Sequence, residues 1–197
     1  MTSTRHEASG RSTEQRGVAW LSVGFYGVFL ATLQLPWLTY APATAAASRA
    51  LGVSEGAVGD LAVVTTVCYV VLGIPSGQWL DRWFRPTLVV GTVLSIAGVL
   101  VRAIDPQSYV WAMSGQLVMS IGSPLVLNAI TKLPARHFTS TQRTAAVSVL
   151  SASQFTVILL AASTGPWLMS RGIDVLVTTH ARVVTAAGVA FLGSLRI

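Results

Sequence analysis

The chain has 197 residues, of which 52% are hydrophobic and only 10% are charged. A soluble domain usually carries about 25% charged residues, so this composition excludes an ordinary soluble domain and is typical of a membrane protein. The formal net charge is +6, but the basic residues are scattered between apolar runs, which excludes a nucleic-acid-binding patch.

Six apolar segments follow one another along the chain, and we predict an all-α integral membrane protein, a bundle of six transmembrane helices. Each segment is long enough, or nearly so, for a hydrocarbon core of about 30 Å, which needs about 20 helical residues. The runs are continuous, without the alternation of a membrane β-barrel. The predicted parts are a polar tail over residues 1–17 and spans over 18–40, 57–80, 86–104, 109–131, 144–168 and 173–195.

The basic residues divide unevenly between the two sides of this bundle. Four lie on one side, at Arg49, Arg102, Arg171 and Arg182, and the other nine of the 13 lie on the side of the N-terminal tail. The side richer in Lys and Arg faces the cytoplasm in most membrane proteins. We therefore predict an N-terminus and a C-terminus in the cytoplasm, and we expect the bundle to lie in the plasma (inner) membrane.

A charged hairpin separates the second and third predicted spans. Within it, Gly77, Asp81, Arg82 and Arg85 form the pattern Gly-x-x-x-Asp-Arg-x-x-Arg. This pattern, in this loop of a six-span chain, resembles the signature loop of the major facilitator superfamily (MFS) of transporters. In that family the glycine lets neighbouring helices approach, and the aspartate caps a helix end and joins a charge relay to the adjacent bundle. The resemblance implies that these four residues are a gating motif, and the alternative is a hairpin that only sets topology.

Two positions of the hairpin depart from the family pattern. Phe84 stands where a second glycine is usual, and Pro86 stands where a second basic residue is usual. We therefore expect the turn to be built differently from that of the family.

The resemblance covers nearly all of residues 18–195, which correspond to the N-terminal six-helix half of an MFS transporter. The family normally has twelve spans in two halves around a central cavity. The resemblance implies secondary transport of a small solute by alternating access. It also implies three partners: the lipid bilayer, a small-molecule substrate, and a second six-span half or a second copy of this chain. The alternative is a non-transporting membrane protein, either a truncated transporter or a partner-binding subunit.

Polar side chains inside spans are costly and so indicate function. Gln34 and Trp37 lie in the first span, Gln116 in the fourth and Gln154 in the fifth, and the resemblance implies that these spans line the cavity. We predict that these four residues bind a neutral, zwitterionic or cationic solute, with the face of Trp37 suited to a quaternary amine. The alternative is that each amide makes a helix–helix hydrogen bond, worth about 0.6 kcal/mol on average.

Other chemistry finds little support in the sequence. Asp60 and Arg102 lie near the outer ends of their spans, and we expect both to be interfacial. The three histidines are far apart and Cys68 is the only cysteine, so no metal-ligand spacing occurs. Nucleophile elbows and phosphate-binding glycine loops are also absent from the sequence. We predict no enzyme activity, no metal site and no cofactor.

Overall fold

The computed structural model describes residues 20–195, so the predicted polar tail lies outside the described residues. This part of the chain is 87% helical, has no strand and contains six membrane-length apolar helices, which confirms the predicted fold class. The helices are α1 (residues 20–32), α2 (Gln34–Trp37), α3 (Thr44–Leu51), α4 (Glu55–Arg82), α5 (Phe84–Arg102), α6 (Tyr109–Leu127), α7 (Lys132–His137), α8 (Ser140–Ser170) and α9 (Ile173–Ser194). The first span consists of α1 and α2, and the other five are α4, α5, α6, α8 and α9.

The first span is broken in its second half. Helix α1 stops at Leu33, and α2 lasts for only four residues. Pro36 lies inside α2 and has no backbone N–H, so it cannot continue the regular helical hydrogen bonds at this point. The break exposes backbone groups and polar side chains to the interior of the bundle.

The hairpin between α4 and α5 is very short. Helix α4 ends at Arg82, Trp83 alone is non-helical, and α5 begins at Phe84. The hydroxyl of Thr87 donates to the carbonyl oxygen of Trp79 at 3.1 Å, which ties the two helix ends across the break. The turn therefore needs no glycine at position 84.

Helices α5 and α6 are in backbone contact through glycines. A Cβ atom added at Gly98 would lie 2.5 Å from the backbone nitrogen of Met119, and one added at Gly115 would lie 2.4 Å from the carbonyl oxygen of Gly98. Within lipid, small residues permit this close approach, and close packing holds helices together. The third and fourth spans therefore form the tightest pair of the bundle.

Burial differs strongly among the spans. In the most apolar 18-residue window of each span, 11% of α4 and 17% of α8 is buried, compared with 44% to 56% in the other four. Large apolar side chains such as Val70 and Ile74 on α4, and Phe155 and Leu159 on α8, are exposed. The second and fifth spans thus carry most of the uncovered surface.

Contacts between loops define the two ends of the bundle. Lys132, at the start of α7, bonds Asp81 near the end of α4. At the other end, the amide of Gln107 donates to Asp174 at 3.3 Å. We call the first the basic end, because it gathers most basic side chains of the described residues: Arg82, Arg85, Lys132, Arg136 and Arg143.

Candidate functional site

A cavity of about 260 Å³ lies beside the broken first span, between α2, α4 and α6. It combines aromatic rings, hydroxyl groups and one amide with apolar side chains. None of its lining residues is charged: Leu33, Gln34, Trp37, Thr65, Thr66, Tyr69, Met119, Ser123 and Leu127. This composition suits a small solute that needs hydrogen bonds and an aromatic surface.

Two of the four predicted substrate residues line this cavity, and each of the other two bonds a residue that lines it. Gln34 and Trp37 line the cavity, and both are half-buried. The Nε2 of Gln34 donates to the Oε1 of Gln154 at 2.8 Å, which joins the first span to the fifth. Gln34 is placed here because it begins α2, directly after the break in the span.

Gln116 lies behind the cavity wall, where it is only 1% exposed. Its Nε2 donates to the hydroxyl of Thr65 at 2.6 Å, and its Oε1 accepts from Arg102 at 2.8 Å. Thr65 lines the cavity and also pairs with the hydroxyl of Ser120 at 2.9 Å. Gln116 therefore reaches the cavity through Thr65 rather than directly.

The sequence prediction that Arg102 is interfacial is wrong. Arg102 is 3% exposed, and the same Nη1 atom that bonds Gln116 also donates to the carbonyl oxygen of Pro36 at 2.9 Å. Its guanidinium lies over the ring of Tyr40, 5.1 Å from the centroid. Arg102 thus joins the third span to both the broken first span and the fourth.

The burial of Arg102 follows from the direction of its side chain. Arg102 is the last residue of α5, and side chains on a helix lean toward the helix N-terminus. For α5 that direction leads into the bundle, not out to the loop. The position of Arg102 at the end of an apolar run suggested an interfacial side chain. The signal for a buried partner was Gln116, about two turns into α6.

A void of about 10 Å³ lies against Arg102 and His180. His180 is 5% exposed, and its Nδ1 lies 3.1 Å from the hydroxyl of Thr39. The Nε and Nη2 atoms of Arg102 have no hydrogen-bond partner among residues 20–195. A void of this size has room for about one water molecule, which would lie within the polar cluster that connects the first, third and sixth spans.

The predicted gating motif is found at the basic end. The Nζ of Lys132 bonds the Oδ1 of Asp81 at 2.5 Å and the carbonyl oxygen of Gly77 at 2.8 Å. Arg82 lies over the ring of Trp83, 4.8 Å from the centroid, and Arg85 is exposed. The sequence did not indicate Lys132 as the partner, because 51 residues separate it from Asp81.

Phe84, at the position where the family pattern has glycine, is 7% exposed. The guanidinium of Arg136 lies over its ring, 4.0 Å from the centroid. This contact fastens α7 to the start of α5. The departure from the pattern therefore adds a second link between the same two segments that Asp81 and Lys132 connect.

Asn128 links the second and fourth spans near the same end. Its Nδ2 donates to the carbonyl oxygen of Gly73 at 2.9 Å and to the hydroxyl of Ser76 at 2.6 Å, while its Oδ1 accepts from Tyr69 at 3.1 Å. Tyr69 lines the cavity. The hairpin end of α4 and one cavity wall are thus held by the same amide. Among residues 20–195, no group of three His, Cys, Asp or Glu side chains is placed to hold a metal ion.

The family profile described as Major Facilitator Superfamily matches residues 16–196. The chain belongs to this superfamily. Solute carrier family 49 member A3 of Danio rerio is 30% identical over 201 residues, which cover 97% of this chain and 42% of that protein. The riboflavin transporter MCH5 of Saccharomyces cerevisiae is 33% identical over 73 residues, which cover 36% of this chain and 14% of that protein.

Superfamily membership makes this chain an integral membrane protein of a transporter family. Its six spans fit one half of an MFS transporter. The chain spans less than half the length of the curated relatives that it matches. The family is generally non-enzymatic.

Proposed function

We propose that this chain forms the N-terminal half of a secondary transporter, which moves a small solute by alternating access against a second six-span half. The observation that carries the proposal is the uncharged cavity beside the broken first span, which is lined by the first, second and fourth spans and reaches the fifth through the bond between Gln34 and Gln154. Superfamily membership supports the same reading. We infer no enzyme activity for the chain.

The solute is neutral, zwitterionic or cationic, because the cavity offers hydrogen bonds and aromatic faces without a charged lining residue. Trp37 supplies a ring face that suits a quaternary amine. Gln34 and Gln154 supply amides, and their mutual bond at 2.8 Å exchanges for bonds to the solute. Gln116 contributes to the same site by fixing Thr65.

The gate lies at the basic end and consists of Gly77, Asp81, Arg82 and Arg85. This end faces the cytoplasm, and the bundle lies in the plasma membrane. In the ion pair between Asp81 and Lys132, the side chain of Asp81 is 72% exposed and that of Lys132 is 28% exposed. An ion pair in contact with water breaks at a low cost in free energy. A contact of this kind holds one state of the transporter until the halves rock apart.

The second half packs against α4 and α8. These two spans are the least buried, and a Cβ atom added at Gly59, Gly73 or Gly77 on α4 would meet nothing within 4 Å among the described residues. Open glycines on an uncovered helix face permit the close approach of another helix. Either a separate six-span half or a second copy of this chain would fill that role.

A second candidate function is a partner-binding membrane subunit that does not transport. It is favoured by the exposed apolar faces of α4 and α8, which suit a partner bundle whether or not a solute is moved. Such a subunit would keep the bundle and lose the solute site. Ligand binding therefore separates the two candidates.

The test is a thermal-shift screen of the purified protein in its native complex against small amines, zwitterions and neutral solutes. A solute of the site raises the melting temperature of the wild type but not of Trp37→Ala. The matched control is Trp111→Ala, which removes an exposed indole of the same bundle that does not line the cavity. Equal stabilisation of wild type and Trp37→Ala by every active solute would contradict the proposed site, and a screen without any active solute would favour the subunit.

A further inference from the structure

A groove of about 450 Å³ lies at the basic end, apart from the candidate solute cavity. Its walls come from α4, α5 and α6. Two of its aromatic side chains, Trp79 and Trp83, are 44% and 52% exposed, so the groove opens on the outer surface of the bundle. The lining residues are Trp79, Trp83, Pro86, Thr87, Val90 and Leu125.

Two arginines directly precede residues of this groove in the chain, Arg82 before Trp83 and Arg85 before Pro86. Arg82 lies over the ring of Trp83, and Arg85 is exposed beside Pro86. Asp81 is the only acidic residue of the basic end within residues 20–195, and it is already bonded to Lys132. Arg82 and Arg85 therefore have no carboxylate partner in the described part of the chain.

This combination has the chemistry of a lipid site. Tryptophan is enriched at the membrane–water interface, and a guanidinium binds a phosphate group with two parallel hydrogen bonds. Basic pockets between membrane helices attract anionic lipid headgroups. We propose that this groove binds one anionic phospholipid, with its phosphate on Arg82 and Arg85 and an acyl chain along Trp79 and Trp83 toward Val90.

The apolar groove and the cations belong to one continuous surface, which matches an amphipathic ligand. A soluble phosphate would use the two arginines and leave the apolar surface uncovered. None of the groove residues lines the solute cavity. Arg82 and Arg85 also belong to the proposed gating motif, but lipid retention is measured without transport, so the two proposals are tested separately.

The test uses the full chain in nanodiscs that contain equal amounts of phosphatidylcholine and phosphatidylglycerol. After release into the gas phase, native mass spectrometry counts the lipids that remain bound. The wild type retains one phosphatidylglycerol in preference to phosphatidylcholine. Substitution of both arginines, Arg82→Gln with Arg85→Gln, lowers that preference by about tenfold.

Two further variants distinguish the groove from a general effect of charge. Arg171→Gln is the control at the opposite end of the bundle, three residues before Asp174. It removes a guanidinium that also lies over a tryptophan ring, 3.9 Å from the centroid of Trp167. This variant should retain as much phosphatidylglycerol as the wild type. Val90→Trp fills the groove at a half-exposed position and keeps both arginines; it lowers retention as far as the double substitution does. Retention equal to that of the wild type, in either the double variant or Val90→Trp, would overturn the proposal.

Discussion

Arg102 is buried among three spans, and its hydrogen bonds explain how an apolar bundle holds a charge near the candidate cavity. The guanidinium satisfies the carbonyl oxygen of Pro36, at the broken helix, and the Oε1 of Gln116. An acceptor left without its donor inside a protein costs about 1–3 kcal/mol. Arg102 thus fixes both the broken span and, through Gln116, the Thr65 wall of the cavity.

We expect Arg102→Met to lower the free energy of unfolding by about 1–3 kcal/mol, because it leaves these two acceptors unpaired. The double variant Arg102→Met with Gln116→Leu should lose less than the sum of the single losses, because it removes one of the orphaned acceptors together with its donor. Unfolding by denaturing detergent measures both effects. Arg182→Met, at an exposed position of α9, is the control and should change stability by less than about 0.5 kcal/mol. Strictly additive losses would contradict the network.

Among the elements, glycine has opposite consequences on neighbouring spans. On α5 it is in backbone contact with α6, whereas on α4 the space beside Gly73 is open in the described part of the chain. Glycine therefore permits close packing of α5 against α6, whereas on α4 it lies on a helix face that no other described residue covers.

We expect Gly98→Ala to destabilise the chain by about 1–3 kcal/mol, because the added methyl group would lie 2.5 Å from a backbone nitrogen. Gly73→Ala should instead be neutral or stabilising by up to about 1 kcal/mol, since alanine is the better helix former and has room. The melting temperatures of the two variants in the same detergent compare them directly. The interpretation would be contradicted if Gly98→Ala melted no earlier than Gly73→Ala.

The hairpin between α4 and α5 should affect the turnover rate of transport. In a reconstituted transporter, Asp81→Asn and Lys132→Gln should each lower turnover, and the double variant should be no slower than the slower single variant, since each removes the same ion pair. Stability should change by less than about 1 kcal/mol because the pair is largely exposed. Asp60→Asn, an exposed carboxylate near the other end of α4, serves as the control. Unchanged turnover in Asp81→Asn would mean that the hairpin only sets topology.

Patterns that are local in the chain were predictable, and contacts between distant segments were not. Continuous apolar runs predicted the six spans, and the break at Leu33 lies close to Pro36, which is also a local feature of the sequence. The partner of Asp81 comes from a segment 51 residues away, which no local pattern reports. The burial of Arg102 was not predicted, because it depends on the direction of the side chain. Gln116 is buried because its Oε1 bonds Arg102 and its Nε2 bonds Thr65.

At the scale of the whole molecule, the uncovered faces of α4 and α8 determine what the bundle can do. The second span is 11% buried and lines the candidate cavity, and the fifth span is 17% buried and contacts the cavity residue Gln34 through Gln154. A second half that covers both faces would also close the cavity. The same contacts would thus complete the fold and the solute site.

We expect Gly77→Leu to leave the melting temperature of the isolated chain nearly unchanged, because a Cβ atom at this position would meet nothing within 4 Å among the described residues. In the native membrane the same substitution should reduce association with the second half, since a leucine prevents close approach of another helix. Co-purification with the partner half measures this loss, with Gly24→Leu as the control, since position 24 is equally open but lies on α1. Equal association of wild type and Gly77→Leu would place the interface elsewhere.

The central claim is that this chain acts as one half of a two-bundle transporter, and the stoichiometry in the native membrane tests it most directly. Crosslinking in the membrane followed by intact-mass measurement gives the composition of the complex. The account predicts two six-span units, on one polypeptide or two, with crosslinks concentrated on α4 and α8. A single six-span chain without a protein partner, or crosslinks confined to α5 and α9, would contradict it.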